Sequence, residues 1–315
     1  MVNILPNLLK KVSALLLSLV SFFAMLGPTT FAPVDAGNLK LNFSILADTH
    51  IDSIWNEFRS PRLIKGLNDM AKAQVKSDAL VIAGDMTETG MANQYLKLGA
   101  ALNLFCKADN LLLQMGNHDV RGIKGPDGES LLPYQFSAGK FKKLMEMTTG
   151  TAPDVAYYYR VIKGCYFIVL NPEWMEGMLS CLSETQLQWA DSILAQAAAA
   201  GNPVFIINHQ PLEAVGEASA GIGDVMQKYN GVLDVFYISG HYHNGFSANS
   251  ITNSGTVYFV DTPTFGKTNS GDYGKIGTGF HVELYEDEII FRARDFMEGL
   301  WVSEYDRTIE LISGQ

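Results

Sequence analysis

The sequence predicts an α/β fold of two packed mixed β-sheets flanked by helices, in a single domain over residues 37–315. Three observations predict it. Short apolar runs recur from residue 41 to residue 241 with amphipathic segments between them, the signature of βαβ units with largely parallel pairing. After about residue 255 the apolar runs follow one another without helices, which reads as antiparallel strands. No repeat and no Pro-, Gly- or Ser-rich linker divides the chain, so the two kinds of strand belong to one body.

The elements follow in order. "LNFSILA" (41–47) is a buried strand. Ser60-Pro61 supplies an N-cap and an N1 proline, and Leu63, Leu67, Met70 and Ala71 recur at helical spacing. "ALVIAG" (79–84) is the next strand, a helix covers roughly 92–107, and "NLLLQM" (110–115) is a third strand. Residues 121–155 are a polar, Gly-rich excursion, and "CYFIVLN" (165–171) returns to strand. Ser183 and Gln186 form a capping box ahead of Leu187, Ala190, Leu194 and Ala197, with Gly201 just past the helix end. "PVFIINH" (203–209) and "DVFYISGH" (234–241) are two further strands. "TVYFV", "GFHVELYE", "EIIFRARDF" and "RTIELI" make the antiparallel tail.

Of 315 residues, 47% are hydrophobic, enough for a large core, and the formal net charge is −10. An acidic surface repels a polyanion, which weighs against a nucleic-acid scaffold role. At the N-terminus Lys10 and Lys11 precede the uncharged apolar stretch 12–26, and Val34 and Ala36 occupy the −3 and −1 positions of a cut before Gly37. Residues 1–36 therefore read as a secretory signal peptide. The rival is an uncleaved anchor, for which the apolar stretch is short. Membrane contact is expected only through that segment, and the protein is expected to be secreted or held at the cell surface. Cys106, Cys165 and Cys181 are too few and too scattered for a disulfide framework or a thiolate metal site.

Five apolar strands end abruptly in metal-ligand residue types. "SILADTH" closes on Asp48 and His50, "LVIAGD" on Asp85, "LLLQMGNHD" on Asn117 and His118, "VFIINH" on His209, and "FYISGHYH" on His241 and His243. The functional crevice of an open α/β sheet lies outside the carboxyl ends of its strands, so these groups are placed to converge. Carboxylate and amide oxygens with several imidazoles suit Mn, Fe or Zn. There are too many donors for one ion, and two cations about 3.5–4 Å apart fit better. The sixth histidine, His281, lies inside a strand and reads as a core residue.

D-x-H, G-D-x-x-E, G-N-H-D, a lone H and G-H-x-H, in that order, resemble the calcineurin-like metallophosphoesterase superfamily over nearly the whole chain after residue 37. The resemblance implies a two-sheet sandwich and assigns roles by motif. Asp48, His50 and His243 would hold one cation; Asn117, His209 and His241 would hold the other; Asp85 would bridge both. His118 corresponds to the non-ligand histidine beside the substrate, which aids departure of the leaving oxygen after a metal-activated hydroxide attacks phosphorus. A carboxylate should orient His118, Glu88 first and Asp119 second, Asp119 having loop capping as its alternative. "GDMTETG" is nearest the bacterial cyclic-nucleotide-phosphodiesterase-like branch. The tyrosine ligand of iron–zinc acid phosphatases is replaced by Glu88, and the arginine of the protein-phosphatase branch is absent. Arg121 is a candidate phosphate contact, and Lys267 and Tyr273 are candidates for the cleft wall. The function expected is hydrolysis of a small phosphoester, a diester ahead of a monoester. A non-catalytic surface protein on the same scaffold is the alternative that a complete ligand set disfavours.

Overall fold

The computed structural model describes residues 30–52, 58–121, 134–177, 179–217, 220–268 and 276–312, the side chain of Arg121 excepted. Residues 1–29, the bulk of the expected signal segment, lie outside this set, as does Tyr273. Among the described residues no helix is long and apolar enough to cross a membrane.

Two sheets face each other. In the first, β1 (Leu41–Leu46), β2 (Ala79–Ala83) and β3 (Asn110–Gln114) run parallel. The late strands β12 (Thr278–Leu284), β13 (Glu288–Asp295), β14 (Leu300–Trp301) and β15 (Arg307–Glu310) extend it antiparallel from the β1 edge. In the second, β5 (Cys165–Val169), β8 (Val204–Ile207), β9 (Val235–Ser239) and β11 (Val257–Asp261) run parallel. They are bordered by the antiparallel β4 (Tyr158–Ile162) and β10 (Ile251–Ser254). "TVYFV" thus joins β9 in parallel rather than the antiparallel tail. A short pair, β6 (Trp174–Glu176) and β7 (Leu179–Cys181), stands apart.

The core between the sheets is aromatic. Phe43 of β1 meets Phe167 and Phe205 edge-on at 5.1 and 4.9 Å, and Phe167 and Phe205 stack at 4.8 Å. Because strand side chains alternate, Ile206 and Tyr237 point to the opposite face, where they pack with Leu187, Ala190 and Leu194. Those three belong to α5 (Glu184–Ala200), which ends as expected at Gly201 with φ +71°. Its N-terminus is capped by Ser183, but Gln186 turns its side chain to Asn171 and Glu173 rather than back to the cap.

Two local readings are corrected. The first helix, α1 (Arg59–Met70), starts before Ser60, and Phe58 at its N-cap makes no side-chain cap bond. The helix α2 covers Ala92–Phe105, and α3 is one turn, Asn117–Arg121. The polar excursion contains a helix, α4 (Tyr134–Thr149), whose Phe141, Leu144 and Met145 are buried. Gly139 and the two closing threonines hide that helix in the sequence pattern. A last short helix, α6, covers Gly221–Gln227.

The residues ahead of β1 pack onto the β12–β13 side. Phe31 is 3% exposed and its ring stands edge-on to His281 at 4.8 Å and to Trp301 at 5.2 Å. His281 is a core residue: it is buried, 3.1 Å from Ser44 Oγ, and pushed down to about 3 by burial and by Arg292 and Arg294. An unfolded histidine titrates near 6.5, so between about 3 and 6.5 only the unfolded chain takes up this proton, and stability falls as pH falls. Denaturant unfolding at pH 7 and pH 5 should therefore show the native chain losing about 2 kcal/mol more than His281→Phe. Equal losses would mean that His281 is protonated in the folded state.

Candidate metal centre

The carboxyl ends of β1, β2, β3, β8 and β9 lie at one edge of the sandwich. The loops there are fastened to each other through the backbone. Asp48 N–H donates to the Gly84 carbonyl at 3.1 Å, His50 N–H to the Asp85 carbonyl at 2.8 Å, and Gly240 N–H to the His209 carbonyl at 2.9 Å. Space at this edge is tight. A Cβ on Gly84 would sit 2.4 Å from the His209 ring, and one on Gly116 would sit 2.1 Å from Asp85 Oδ1. The glycines of G-D and G-N-H-D are therefore the room that lets the donors close in.

The chain turns sharply to aim these side chains. Asp48, His50, Asp85, His241 and His243 all have φ between +45° and +78°, a region that costs an L-residue about 1 kcal/mol or more. Among the described residues the other non-glycine with such a φ is Lys163, in the β4–β5 hairpin turn. Strain is concentrated on the residues singled out by sequence.

All seven expected ligands come together. Asp48 Oδ1 lies 3.2 Å from His243 Nε2, and His50 Nε2 lies 2.9 Å from His243 Nε2. Asp85 Oδ2 lies 3.4 Å from His50 Nε2 and 3.2 Å from His209 Nε2. Asn117 Oδ1 lies 3.2 Å from His209 Nε2 and 3.1 Å from His241 Nδ1. Two nests result, with Asp85 between them, and Asp48, His50, Asp85 and His243 offer a compact set of donor atoms for one cation. The donor chemistry fits divalent cations. Asp48, His50, Asp85, Asn117 and His209 are buried and His241 and His243 half-buried. Asp85 Oδ2 accepts no well-aligned hydrogen bond, with the rings of His209 and His50 beside it at 3.2 and 3.4 Å, and a buried carboxylate so placed favours a cation.

The protonation states are set for the same end. Burial opposes ionisation of Asp85, but His209, His50 and His118 outweigh it and hold the carboxyl well below the usual range. Burial also opposes charge on His209, yet Asp85 and Asp48 hold it up to about 9. A cation entering this nest competes with that proton and releases it. Burial and the neighbouring His209 push His241 down to about 4, leaving a neutral imidazole ready to ligate.

The residues beside the cluster differ in their contacts. His118 stands edge-on to His50 with ring centres 4.5 Å apart. Its main-chain N–H donates to Asp85 Oδ1 at 2.8 Å, and Nδ1 lies 2.8 Å from the Glu88 carbonyl. Nδ1 thus carries a proton, and Nε2 faces the metal cluster, 3.9 Å from Asp85 Oδ2. Glu88 orients His118 through its main chain rather than its carboxylate, whose nearest oxygen is 3.6 Å away, too far for a hydrogen bond. That carboxylate sits 3.1 Å from His50 Nδ1 instead, and receives Arg59 at 2.6 Å and Lys267 at 2.9 Å. Burial would raise Glu88, but His50 and Lys267 overcome this and keep it ionised. Because carboxylates behind a ligating histidine typically contribute 10–100-fold in metal affinity, Glu88→Gln should weaken binding of one cation by about that factor in competition titration with a chelator. Unchanged affinity would remove Glu88 from the support of His50.

Asp119 does not reach His118. Its Oδ2 accepts from the main-chain N–H groups of Met86 and Gly116, both at 2.9 Å, and its Oδ1 accepts from Thr87 N–H at 3.0 Å and Thr87 Oγ1 at 2.6 Å. It fastens the two ligand loops to each other, the loop-capping alternative. Gly90 N–H donates to Thr87 Oγ1 at 3.0 Å, which accounts for the Thr of "GDMTETG". Its second Gly is required by φ +64° and by the Asp119 carbonyl, 2.3 Å from where a Cβ would sit. Arg121 closes α3, and its side chain lies outside the described residues. Sequence reading missed Arg59, which carries no motif, and Gln210, whose Nε2 is 3.4 Å from His241 Nε2. The position of Gln210 directly after His209 was the available signal.

A recess of about 360 Å³ is walled by Pro211, Glu213, Tyr242, Phe259 and Asp261, and none of the seven clustered donors lines it. Tyr242 separates His241 from His243 in sequence, and its hydroxyl donates to Glu213 at 3.1 Å.

A family model described as calcineurin-like phosphoesterase matches residues 41–245, well over half of the 315-residue chain. Among solved structures, a dimetal phosphatase from Danio rerio superposes with a TM-score of 0.59 at 16% identity, over 86% of this chain and 99% of that one. A 5'-nucleotidase from Candida albicans gives 0.43 at 14% identity, over 88% of this chain and 53% of the other. Vacuolar protein sorting 29 from Cryptosporidium parvum gives 0.39 at 12%, over 86% and 97%. At these identities the first shows a shared fold, and the lower scores of the other two carry no argument. No curated protein sequence matches this one significantly.

Proposed function

The chain belongs to the calcineurin-like phosphoesterase family and is a phosphoester hydrolase, and from that premise we propose that it cleaves phosphodiesters at a centre of two divalent cations. Asp48, His50 and His243 would hold one, Asn117, His209 and His241 the other, and Asp85 would serve both. The observation that carries this reading is the convergence of all seven donors into two adjoining nests with the buried carboxylate of Asp85 between them, its Oδ2 3.4 Å from His50 and 3.2 Å from His209.

When bound, two such cations supply an activated water and neutralise charge on the phosphoryl oxygens. The chain's own residues do the rest. Asp119 and the loop bonds fix the spacing of the ligands. His118, held by the Glu88 carbonyl and Asp85, would donate as the imidazolium: its Nε2 proton passes to the leaving oxygen and the ring returns to neutral with Nδ1–H still on the Glu88 carbonyl. The loop chemistry of Thr87, Glu88 and Gly90 supports the cyclic-nucleotide-phosphodiesterase-like branch. Mn, Fe or Zn are the cations proposed, a small phosphoester outside the cytoplasm the substrate, and no nucleic-acid scaffold role is assigned.

Elemental analysis of the purified protein, paired with rates on bis-p-nitrophenyl phosphate and p-nitrophenyl phosphate, tests the proposal. We expect about two metal ions per chain and faster diester cleavage. A faster monoester would make the enzyme a phosphatase. Metal without turnover on either would leave a binding protein.

A further inference from the structure

Residues 30–36 precede β1, and four of their hydrogen bonds tie them to residues near the opposite end of the chain. The Thr30 carbonyl accepts from Trp301 Nε1 at 3.1 Å, and the Ala32 carbonyl accepts from Arg292 at 2.7 Å. Val34 N–H donates to Glu283 Oε2 at 2.8 Å, and Asp35 N–H to the Tyr285 hydroxyl at 3.0 Å. The Phe31 carbonyl accepts from Gln74 N–H at 2.8 Å, beyond α1. Between these bonds the Phe31 ring fills a socket made by His281, Trp301 and Phe296. Its far wall is the guanidinium of Arg294, 4.2 Å from the ring centre, which is 1% exposed and paired with Asp69 at 2.6 Å.

We propose that residues 30–36 are a strap of the mature protein and that processing, where it occurs, cuts ahead of Thr30 and not between Ala36 and Gly37. Cutting before Gly37 would take away a core aromatic, open the socket around a buried ion pair, and leave Arg292 and the Trp301 indole without their main-chain acceptors. Emptying an aromatic socket of that kind is costly. The small residues that suggested the cut have another explanation. Val34 is 64% exposed and Ala36 is exposed too. They flank a surface turn in which Asp35 accepts from Gly37 N–H at 2.9 Å and from Asn38 Nδ2 at 2.7 Å. Small residues there fit the turn without any need for a peptidase.

The test uses the full-length chain expressed in a secreting host, with the product read by intact mass. The mature species is expected to retain Phe31, whether or not an upstream segment is removed. A folded product beginning at Gly37 would overturn the proposal. Independently, Phe31→Ala in the full-length chain should lower Tm by about 10 °C, the scale for emptying an aromatic core site in a domain of this size. A variant melting within about 2 °C of the native protein, less than 1 kcal/mol would produce, would show that the strap is dispensable and overturn it equally.

Discussion

Asp85→Asn is expected to lose at least one metal ion per chain and to lower kcat/KM on a diester by more than about 10³-fold, because two-metal chemistry needs both cations on the phosphoryl group. The change is small in shape. An amide oxygen can still accept from His118 N–H, as Asp85 Oδ1 does at 2.8 Å, so the loop after β3 keeps its anchor. What disappears is the negative charge on the oxygen that lies within 3.4 Å of both His50 and His209. Without it, neither nest has a shared anion, and two cations a few ångströms apart repel one another with nothing between them. Metal content by elemental analysis and turnover should fall together. An asparagine variant with a full metal complement and native turnover would mean that Asp85 is not the shared ligand.

His118→Ala should separate these two readouts. The imidazole touches the cluster, with Nδ1 on the Glu88 carbonyl and Nε2 3.9 Å from Asp85 Oδ2, but it is not among the seven proposed ligands, so both cations should stay. General-acid assistance is typically worth about 10²- to 10⁴-fold, and a loss in that range is expected on diesters with poor alkyl leaving groups. On p-nitrophenyl esters, whose leaving group departs without a proton, the loss should be much smaller. Equal losses on both substrates would assign His118 to charge stabilisation instead of proton donation. Unchanged rates on both would remove it from the reaction.

The edge of the sandwich was legible because burial and chemistry conflict there. An apolar strand such as "LVIAG" has no packing reason to stop on Asp85, and five such endings in one chain share a cause. Other features were not, since they depend on backbone shape or on distant partners. Nothing in "ADTH" says that Asp48 and His50 adopt φ near +50°. Glu88 could be picked out as the acid near His118, but not that its carbonyl would serve His118 while its carboxylate served His50. That division follows from the turn between β2 and α2. Arg59 and Lys267 reach Glu88 from 29 and 179 residues away, beyond any local pattern. The helix α4 was hidden by weak propensities that burial of Phe141 and Leu144 overrides.

The left-handed backbone at five of the donors has an evolutionary consequence. Glycine or asparagine would sit more comfortably at Asp48, His50, Asp85, His241 and His243 than the present residues do. A lineage freed from selection for turnover would therefore be pulled toward those two residues by stability alone. Decay of this scaffold should leave a recognisable scar: N or G where D and H now stand, with the surrounding glycines untouched.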